Sequence, residues 1–503
     1  MAKICLCLTG KTLERNLDLL AKYRKYVDVA ELRVDCLDPD ERFLIRRFPE
    51  QAGVPVILTI RRKEEGGYFS GGEGSRISLF SKGLAFAEAD RRKNFAYVDL
   101  EEDLNVPSLE EAARTFGTRI IRSFHNNKGV DDNLVERMKK LRHVGDEIVK
   151  AAVFPQNLAD VLRIYRAAGE TRDFDKVLLG MGHYGTNTRI LADKLGSYLS
   201  FVSAKDEPEA VLAAPGQLDP KELVEIYRFR KLNPSTILFG IVGFPLHATS
   251  SPSFFNQVYT EENINAVYVP FPADSLESFM ELAKELGIKG ASVTVPYKEK
   301  ILPYLAVQSE KVWALEACNT IVASPEGWMG YNTDCRGFSD SLLNFTGEKD
   351  LRGQRVTIIG AGGAARAVAA EVYRLKGKAL VLNRTVVRAK RLAMAYKFAW
   401  GSADAEGAEL MKRYNSIVIQ TTSVGMEPAP GEDPLPDYQF NGKEKVMDLI
   451  YKPHETLFLK RAVEAGCAVQ NGYDMLIRQA IYQYLFFMGT EFPSGLMNRI
   501  RMS

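Results

Sequence analysis

Short runs rich in Val, Ile and Leu recur along the first part of the chain, each closed by polar or turn residues. They span 3–9, 29–35, 55–61, 97–102, 119–125, 147–154, 176–182 and 199–204. Between them the apolar spacing becomes helical, as in DNLVERMKKLRHVG and LADVLRIYRAAG. Such strands are buried on both faces and run parallel. Eight strand-then-helix repeats predict a closed (β/α)8 TIM barrel over residues 1–230, near the short end of that architecture's size range. Residues 215–236 read as a loop, an amphipathic helix and a polar linker. A second α/β pattern starts at ILFGIVG (237–243), with strand-like runs at AVYVPFP, GASVTVP, CNTIVAS, VTIIGAG, ALVLNRT, SIVIQTT and KVMDLIY.

The length of 503 residues gives a prior of about three domains. A formal net charge of +2 gives no reason to expect nucleic acid or an anionic membrane as partner. With 46% hydrophobic and 26% charged residues, long disorder is excluded. No apolar run approaches the ~18–20 residues of a bilayer span. The six cysteines form no CxxC pair and suit free thiols in a reducing compartment. The N-terminus, MAKICLCLTG, enters a strand without the pattern of a signal or transit peptide, so a cytoplasmic protein is expected.

RVTIIGAGGAARAVAAEVYRL (355–375) is an apolar strand, a glycine turn and an Ala-rich helix. Gly360, Gly362 and Ala365 fit G-x-G-x-x-G/A, with an additional Gly363. Such glycines let backbone approach a pyrophosphate at a helix N-terminus. The next strand ends in Asn383, Arg384 and Thr385, where an NAD site usually places a carboxylate. With no acid there, and with Arg384 and Arg388 able to pair with a 2′-phosphate, the expected cofactor is NADP(H).

Thr294-Val-Pro-Tyr-Lys298 and Asn332-Thr-Asp334 each close a strand-like run. A Lys and an Asp at strand ends can serve as an acid/base and hydroxyl-orienting pair during hydride transfer, although surface Lys/Asp pairs are abundant. The segment 237–495 resembles the shikimate dehydrogenase family. It carries VTVPYK (293–298), ACNTIV (317–322), GYNTD (330–334), GAGGAARA (360–367), NRT (383–385), TTSVGM (421–426), DLIYKP (448–453) and GYDML..QA (472–480) in the family's order. The resemblance implies a two-lobed enzyme. Its substrate-binding lobe would be 236–340, completed by 470–495, and its Rossmann-type NADP-binding lobe 341–469. Lys298 and Asp334 would be the catalytic pair, with Asn319, Thr294 and Gln479 on the ring hydroxyls. Thr249, Ser251 and Tyr451 would hold the substrate carboxylate. Gly360, Gly362, Gly363, Ala364, Asn383, Arg384, Thr385, Arg388 and Gly472 would bind the nucleotide. The family's H-S-x-S-P entry motif departs here to His247-Ala-Thr-Ser-Ser-Pro252.

In the first part, Lys150 sits inside the apolar strand EIVKAAVF. Desolvation lowers a lysine pKa and favours the neutral amine, which can attack a carbonyl. From that residue alone, a lysine snorkelling from the strand end is the slightly better reading. Neighbouring strand ends shift the balance. They supply His125, Glu31, Arg33, Arg61, Glu65 and Arg189, and in a barrel these ends converge on one mouth.

The set resembles type I 3-dehydroquinate dehydratase over about 3–220, through ELRVD (31–35), TIR…EEGG (59–67), SFH (123–125), VKAAV (149–153), a Met-Gly run with Arg189, and APGQ (214–217). The resemblance implies a Schiff base on Lys150, proton transfer by His125 and support of His125 by Glu65. It implies Glu31, Arg33 and Arg61 on ring hydroxyls, and Arg189 and Gln217 on the carboxylate. Ala213 stands where the family often has Ser.

Together the resemblances imply consecutive reactions of the shikimate pathway. The barrel would dehydrate 3-dehydroquinate to 3-dehydroshikimate, and NADPH would then reduce that product to shikimate. The partners would be these small molecules, with no metal and no nucleic acid, and the chain a monomer or a dimer. Alternatives are a second half that also or instead oxidises quinate, and a ligand sensor that has lost its chemistry.

Overall fold

The computed structural model describes residues 1–84, 90–205, 213–246 and 249–500. It divides the chain into two compact units. One comprises Met1–Gly240, Phe244–Leu246 and Asn256–Ile288; the other comprises Ile241–Gly243, His247–Phe255 and Lys289–Ser503.

Every predicted strand of the first part forms. They are β1 (Lys3–Leu8), β2 (Val29–Arg33), β3 (Val56–Thr59), β4 (Tyr97–Glu101), β5 (Arg119–Asn126), β6 (Ile148–Val153), β7 (Lys176–Gly180) and β8 (Leu199–Val202). The strand order is β7-β6-β5-β4-β3-β2-β1-β8, and the pairs along it are parallel. Between β7 and β8 the ladder shrinks to one bridge, Lys176 to Ser197. The barrel is therefore nearly closed rather than fully laddered.

Register decides which side chains face inward, because the side-chain period of a strand is two. Cys7 pairs with Glu31, Arg33 with Thr59, Thr59 with Asp99, Glu101 with Ser123 and Ser123 with Lys150. One face of the sheet thus carries an apolar floor of Cys5, Val29, Ile57, Tyr97, Ile121, Ile148, Val177 and Leu199. One step later on the same face come Glu31, Thr59, Asp99, Ser123 and Lys150, while β7 and β8 present the apolar Leu179 and Phe201.

The expected helix within 215–236 forms as a short segment that is π-helical over most of its length. A π-helical turn covers Glu222–Ile226, and a 3-10 turn covers Phe229–Lys231. Arg228 sits between them with φ of 56°, a left-handed conformation that interrupts a continuous helix.

The second pattern supplies twelve further strands. β9 (Ile237–Gly243), β10 (Ala266–Pro272), β11 (Gly290–Val293), β12 (Leu305–Gln308), β13 (Thr320–Ser324) and β14 (Gly327–Tyr331) form a sheet of order β10-β9-β11-β13-β14-β12. β15 (Arg355–Ile359), β16 (Lys378–Leu382), β17 (Ala399–Gly401), β18 (Ile417–Gln420), β19 (Lys445–Asp448) and β20 (Ala468–Gln470) form the other, of order β17-β16-β15-β18-β19-β20. All pairs of this last sheet are parallel. Counted from its first strand the order is 3-2-1-4-5-6, the doubly wound dinucleotide topology. Alternate residues serve opposite layers. Val356 and Ile358 join a core with the helix Gly363–Arg374, whereas Ile359 and Val418 join one with the helix Leu457–Glu464.

Candidate active sites

The first site lies at the C-terminal end of the barrel strands. Lys150 is only 5% exposed. Its Nζ lies 2.8 Å from Asp99 Oδ2 and 3.5 Å from Glu31 Oε1, and it sits 4.3 Å above the Phe201 ring. Asp99 Oδ1 also receives Arg61 Nη2 at 2.8 Å and the Ser123 hydroxyl at 2.5 Å. Arg61 Nη1 donates to Glu101 at 2.9 Å and to Ser123 Oγ at 3.1 Å. Arg33 is held by Asp35 through two hydrogen bonds, at 2.9 and 2.7 Å. Both arginines are thus engaged by protein carboxylates.

The expectation of an uncharged amine at Lys150 is overturned. Burial pushes its pKa down, but Asp99 and then Glu31 outweigh burial and raise it above the ordinary lysine value. The two carboxylates beside it thus favour the ammonium form of Lys150 in the substrate-free site. Burial also raises the Asp99 carboxyl, yet Arg61 and Lys150 bring it well below the usual range. Glu31 is lowered in the same way, by Lys150 and Arg33 against burial.

His125 follows Ser123 by two residues on β5 and so shares its face. Its Nδ1 lies 2.7 Å from Glu65 Oε2. Burial, with Arg61 and Lys150 adding, pushes the imidazole pKa well below its ordinary value. The ring is neutral near pH 7, so this contact is a hydrogen bond rather than an ion pair. Glu65 is raised by burial, with Arg61 and Arg62 opposing.

Arg189 is the unusual cation. It lies in the short helix Thr186–Ile190, is 2% exposed, and its pKa is pushed down to about 10 by burial. Nη1 makes a 3.4 Å contact to the Phe201 carbonyl. Nε and Nη2 have no hydrogen-bond partner among the described residues. A buried guanidinium with idle donors is costly unless an anion meets it. Gln217 accepts from the Ser203 hydroxyl and donates to Cys7 Sγ at 3.3 Å.

The second site is built from Lys298 and Asp334, whose Nζ and Oδ2 lie 2.5 Å apart. Asn332–Asp334 follows the end of β14 at Tyr331, and Asp334 opens the helix Asp334–Thr346. Asn319 donates to Asp334 Oδ1 at 2.8 Å, to Thr333 Oγ1 at 2.9 Å and to Gln479 Oε1 at 3.4 Å. Its own oxygen accepts from the Thr320 hydroxyl and the Thr333 amide. Gln483 then ties the Asn319 carbonyl to Ser292. Gln479 comes from the long helix Tyr473–Met488.

Thr294 extends β11 by donating its amide to the Val242 carbonyl. Thr249 Oγ1 accepts from the Ser251 amide at 3.3 Å, and the Tyr451 hydroxyl makes hydrogen bonds with the Thr249 side chain and the Ser250 backbone. Thr249, Ser251 and Tyr451 therefore form one polar group. His247 and Ala248 lie outside the described residues.

The glycine turn leaves β15 at the point where the strand order reverses, between β15 and β18. Gly360 has φ of +119°, and a Cβ there would lie 2.3 Å from Thr421 Oγ1. Gly362 caps and Gly363 starts the helix Gly363–Arg374, with Ala364 in its first turn. A Cβ on Gly363 would lie 3.3 Å from Lys298 Cβ, so the turn adjoins the Lys298 side chain. Asn383 Nδ2 donates to the Thr385 carbonyl. Arg384, Thr385 and Arg388 are exposed, and neither arginine has a carboxylate partner among the described residues. The Gly472 amide donates to the Ile450 carbonyl. A glycine turn at a helix N-terminus where the strand order reverses, with two exposed arginines that have no carboxylate partner among the described residues, suits a phosphorylated dinucleotide.

The sequence reading missed Asp99, Glu101 and Ser123 in the barrel, and Thr333 and Gln483 in the second site. A signal for the first pair was present. Asp99 and Glu101 stand two apart in an otherwise apolar strand, and so share its inner face.

A family model for type I 3-dehydroquinase matches residues 4–234, and one for the shikimate dehydrogenase substrate-binding domain matches residues 241–321. The chain is 29% identical over 495 residues to the chloroplastic bifunctional 3-dehydroquinate dehydratase/shikimate dehydrogenase of Arabidopsis thaliana, covering 93% of this chain and 79% of that protein. It is 38% identical over 273 residues to a shikimate dehydrogenase (NADP(+)) of Caldanaerobacter subterraneus subsp. tengcongensis, covering 53% of this chain and 97% of that protein. It is 26% identical over 486 residues to the shikimate biosynthesis protein AroDE of Chlamydia pneumoniae, covering 96% of this chain and 94% of that protein.

Proposed function

The chain belongs to the shikimate dehydrogenase family through its second half and carries a type I 3-dehydroquinase domain in its first, and from this premise we propose how its two sites act in sequence. The enzyme is bifunctional, a lyase and an NADP-dependent oxidoreductase. It dehydrates 3-dehydroquinate to 3-dehydroshikimate and reduces that product to shikimate. We assign the dehydratase to residues 1–230, the substrate lobe to 236–340 with 470–495, and the NADP lobe to 341–469. The cytoplasm suits its six free thiols.

In the barrel, the idle donors of Arg189 receive the substrate carboxylate. The ketone then meets Lys150. Condensation of an ammonium with a ketone gives a protonated imine and water, so the nitrogen carries one positive charge before and after. His125, neutral and oriented through Nδ1 by Glu65, takes a proton from Lys150 to expose the amine and returns it as the carbinolamine loses water. The protonated imine withdraws electrons from the adjacent carbon, and His125 removes its proton. The same imidazolium protonates the departing hydroxyl, which leaves as water. Hydrolysis of the imine frees the unsaturated ketone and restores Lys150.

In the second site, NADPH held by the glycine turn would supply the hydride for the substrate carbonyl. The Lys298 ammonium donates the proton to the forming alcohol oxygen, and Asp334 fixes that ammonium. Asn319 and Gln479 hold ring hydroxyls, while Thr249, Ser251 and Tyr451 bind the carboxylate. The Gly360–Ala364 turn would hold the pyrophosphate, and Arg384 and Arg388 would hold the 2′-phosphate.

The observation that carries the reading is Lys150 enclosed within the barrel, with the Glu65-held His125 on the adjacent strand. Incubation with 3-dehydroquinate and NADPH tests it. The expected result is loss of NADPH absorbance with shikimate as product; no NADPH consumption from either 3-dehydroquinate or 3-dehydroshikimate would refute it.

A further inference from the structure

Asp99 touches the nitrogen on which the barrel chemistry depends, yet neither sequence motif includes it. It sits on β4 with 1% exposure. Its two oxygens are divided: Oδ2 takes Lys150, and Oδ1 takes Arg61 and Ser123. Glu31 is the other anion near Lys150, but it is more distant. Its oxygens are already shared with the Thr59 hydroxyl at 3.0 Å and Cys7 Sγ at 3.1 Å.

The groups facing Lys150 come from every side of the barrel. Asp99 and Glu31 are negative. Arg61, beyond β3, is positive, His125 on β5 is neutral, and Cys5 on β1 is a buried thiol held protonated by desolvation. β8 presents the Phe201 ring, and β7 presents the apolar Val177 and Leu179. Removing Asp99 would leave a buried cation between an arginine and hydrocarbon, facing a single partly engaged carboxylate.

We propose that Asp99 is the fixed counter-ion of the Lys150 nitrogen and keeps it protonated both as the free ammonium and as the imine. This rests on the assignment of Lys150 as the imine-forming residue. The charge balance gives the reason. Ammonium plus ketone yields iminium plus water, with no change in charge at nitrogen, so one rigid anion serves both states without reorganising. An unprotonated imine is a poor electron sink. Loss of Asp99 therefore impairs proton removal from carbon more than it impairs capture of the ketone.

The full chain carrying Asp99→Asn tests this through the pH profile of Lys150. In the substrate-free wild type, an amine-acylating reagent read by peptide mass spectrometry should label Lys150 with a midpoint at or above the ordinary lysine value of about 10.4. In Asp99→Asn the midpoint should fall by at least about one unit. Dehydration should slow by roughly 100-fold or more, while borohydride with dehydroquinate still leaves an adduct on Lys150. A wild-type midpoint below about 9 overturns the proposal without any variant. An unshifted midpoint, or unchanged turnover, in a folded Asp99→Asn protein also overturns it. Failure of the wild type to form any adduct on Lys150 would instead remove the underlying assignment of that lysine.

Discussion

Lys298 Nζ lies 2.5 Å from the Asp334 carboxylate, and its side chain adjoins the first residue of the nucleotide helix, Gly363. The Lys298–Asp334 pair thus adjoins the glycine turn at the strand-order reversal of the doubly wound sheet.

Lys298→Ala should lower the rate of 3-dehydroshikimate reduction by about 10²–10⁴-fold, the range for loss of a positioned acid. Dehydration of 3-dehydroquinate should be unchanged, because Lys150, His125 and Glu65 lie in the barrel. Steady-state assays of each half-reaction check this; parallel loss of both would contradict it.

Arg384→Ala should raise KM for NADPH by about tenfold or more, a loss of about 1.4 kcal/mol. KM for NADH should hold, because Arg384 is exposed, pairs with no protein carboxylate among the described residues, and on the proposed assignment meets only the 2′-phosphate. Equal changes for both cofactors would contradict the assignment.

Arg189→Leu should separate binding from stability. KM for 3-dehydroquinate should rise at least about tenfold with loss of a charge-assisted contact. The substrate-free barrel should gain stability, of order 1 kcal/mol, because an incompletely paired buried cation is replaced by an apolar side chain. Thermal melting with and without substrate measures both effects.

Asp448 at the end of β19 is fully buried. Its oxygens accept from the Ile450 amide and the Thr456 hydroxyl. Burial raises its pKa to about 7, against those two hydrogen bonds and with Asp433 adding. A carboxyl raised in the folded state contributes stability that is fully present below its unfolded pKa, about 3.9. That stability is lost as pH rises through about 7. Asp448→Asn should therefore flatten the melting temperature of the second unit between pH 4 and 8. At pH 8 the variant should melt above the wild type, and a variant curve parallel to wild type would contradict this.

The barrel's eight strands were readable because each is a short run rich in Val, Ile and Leu, bounded by polar or turn residues, the pattern of a strand buried on both faces. The strands that escaped were β12, β17 and β20. β17 and β20 span three residues each. Their pairing comes from neighbours rather than from local preference. Many of the polar residues that the structure gathers around Lys150 and Lys298 were readable as motifs. The charge on Lys150 was not, because its sign depends on Asp99 and Glu31 arriving from other strands. The π-helical turn at Glu222–Ile226 likewise carries a helical apolar spacing that does not distinguish it from an α-helix.

Trapping with borohydride puts the whole account at stake. The full-length protein, mixed with 3-dehydroquinate and reduced, should carry one covalent adduct on the peptide containing Lys150 and lose dehydratase activity while keeping reduction of 3-dehydroshikimate. An unmodified Lys150 peptide, or an adduct confined to another lysine, would contradict imine catalysis in the barrel.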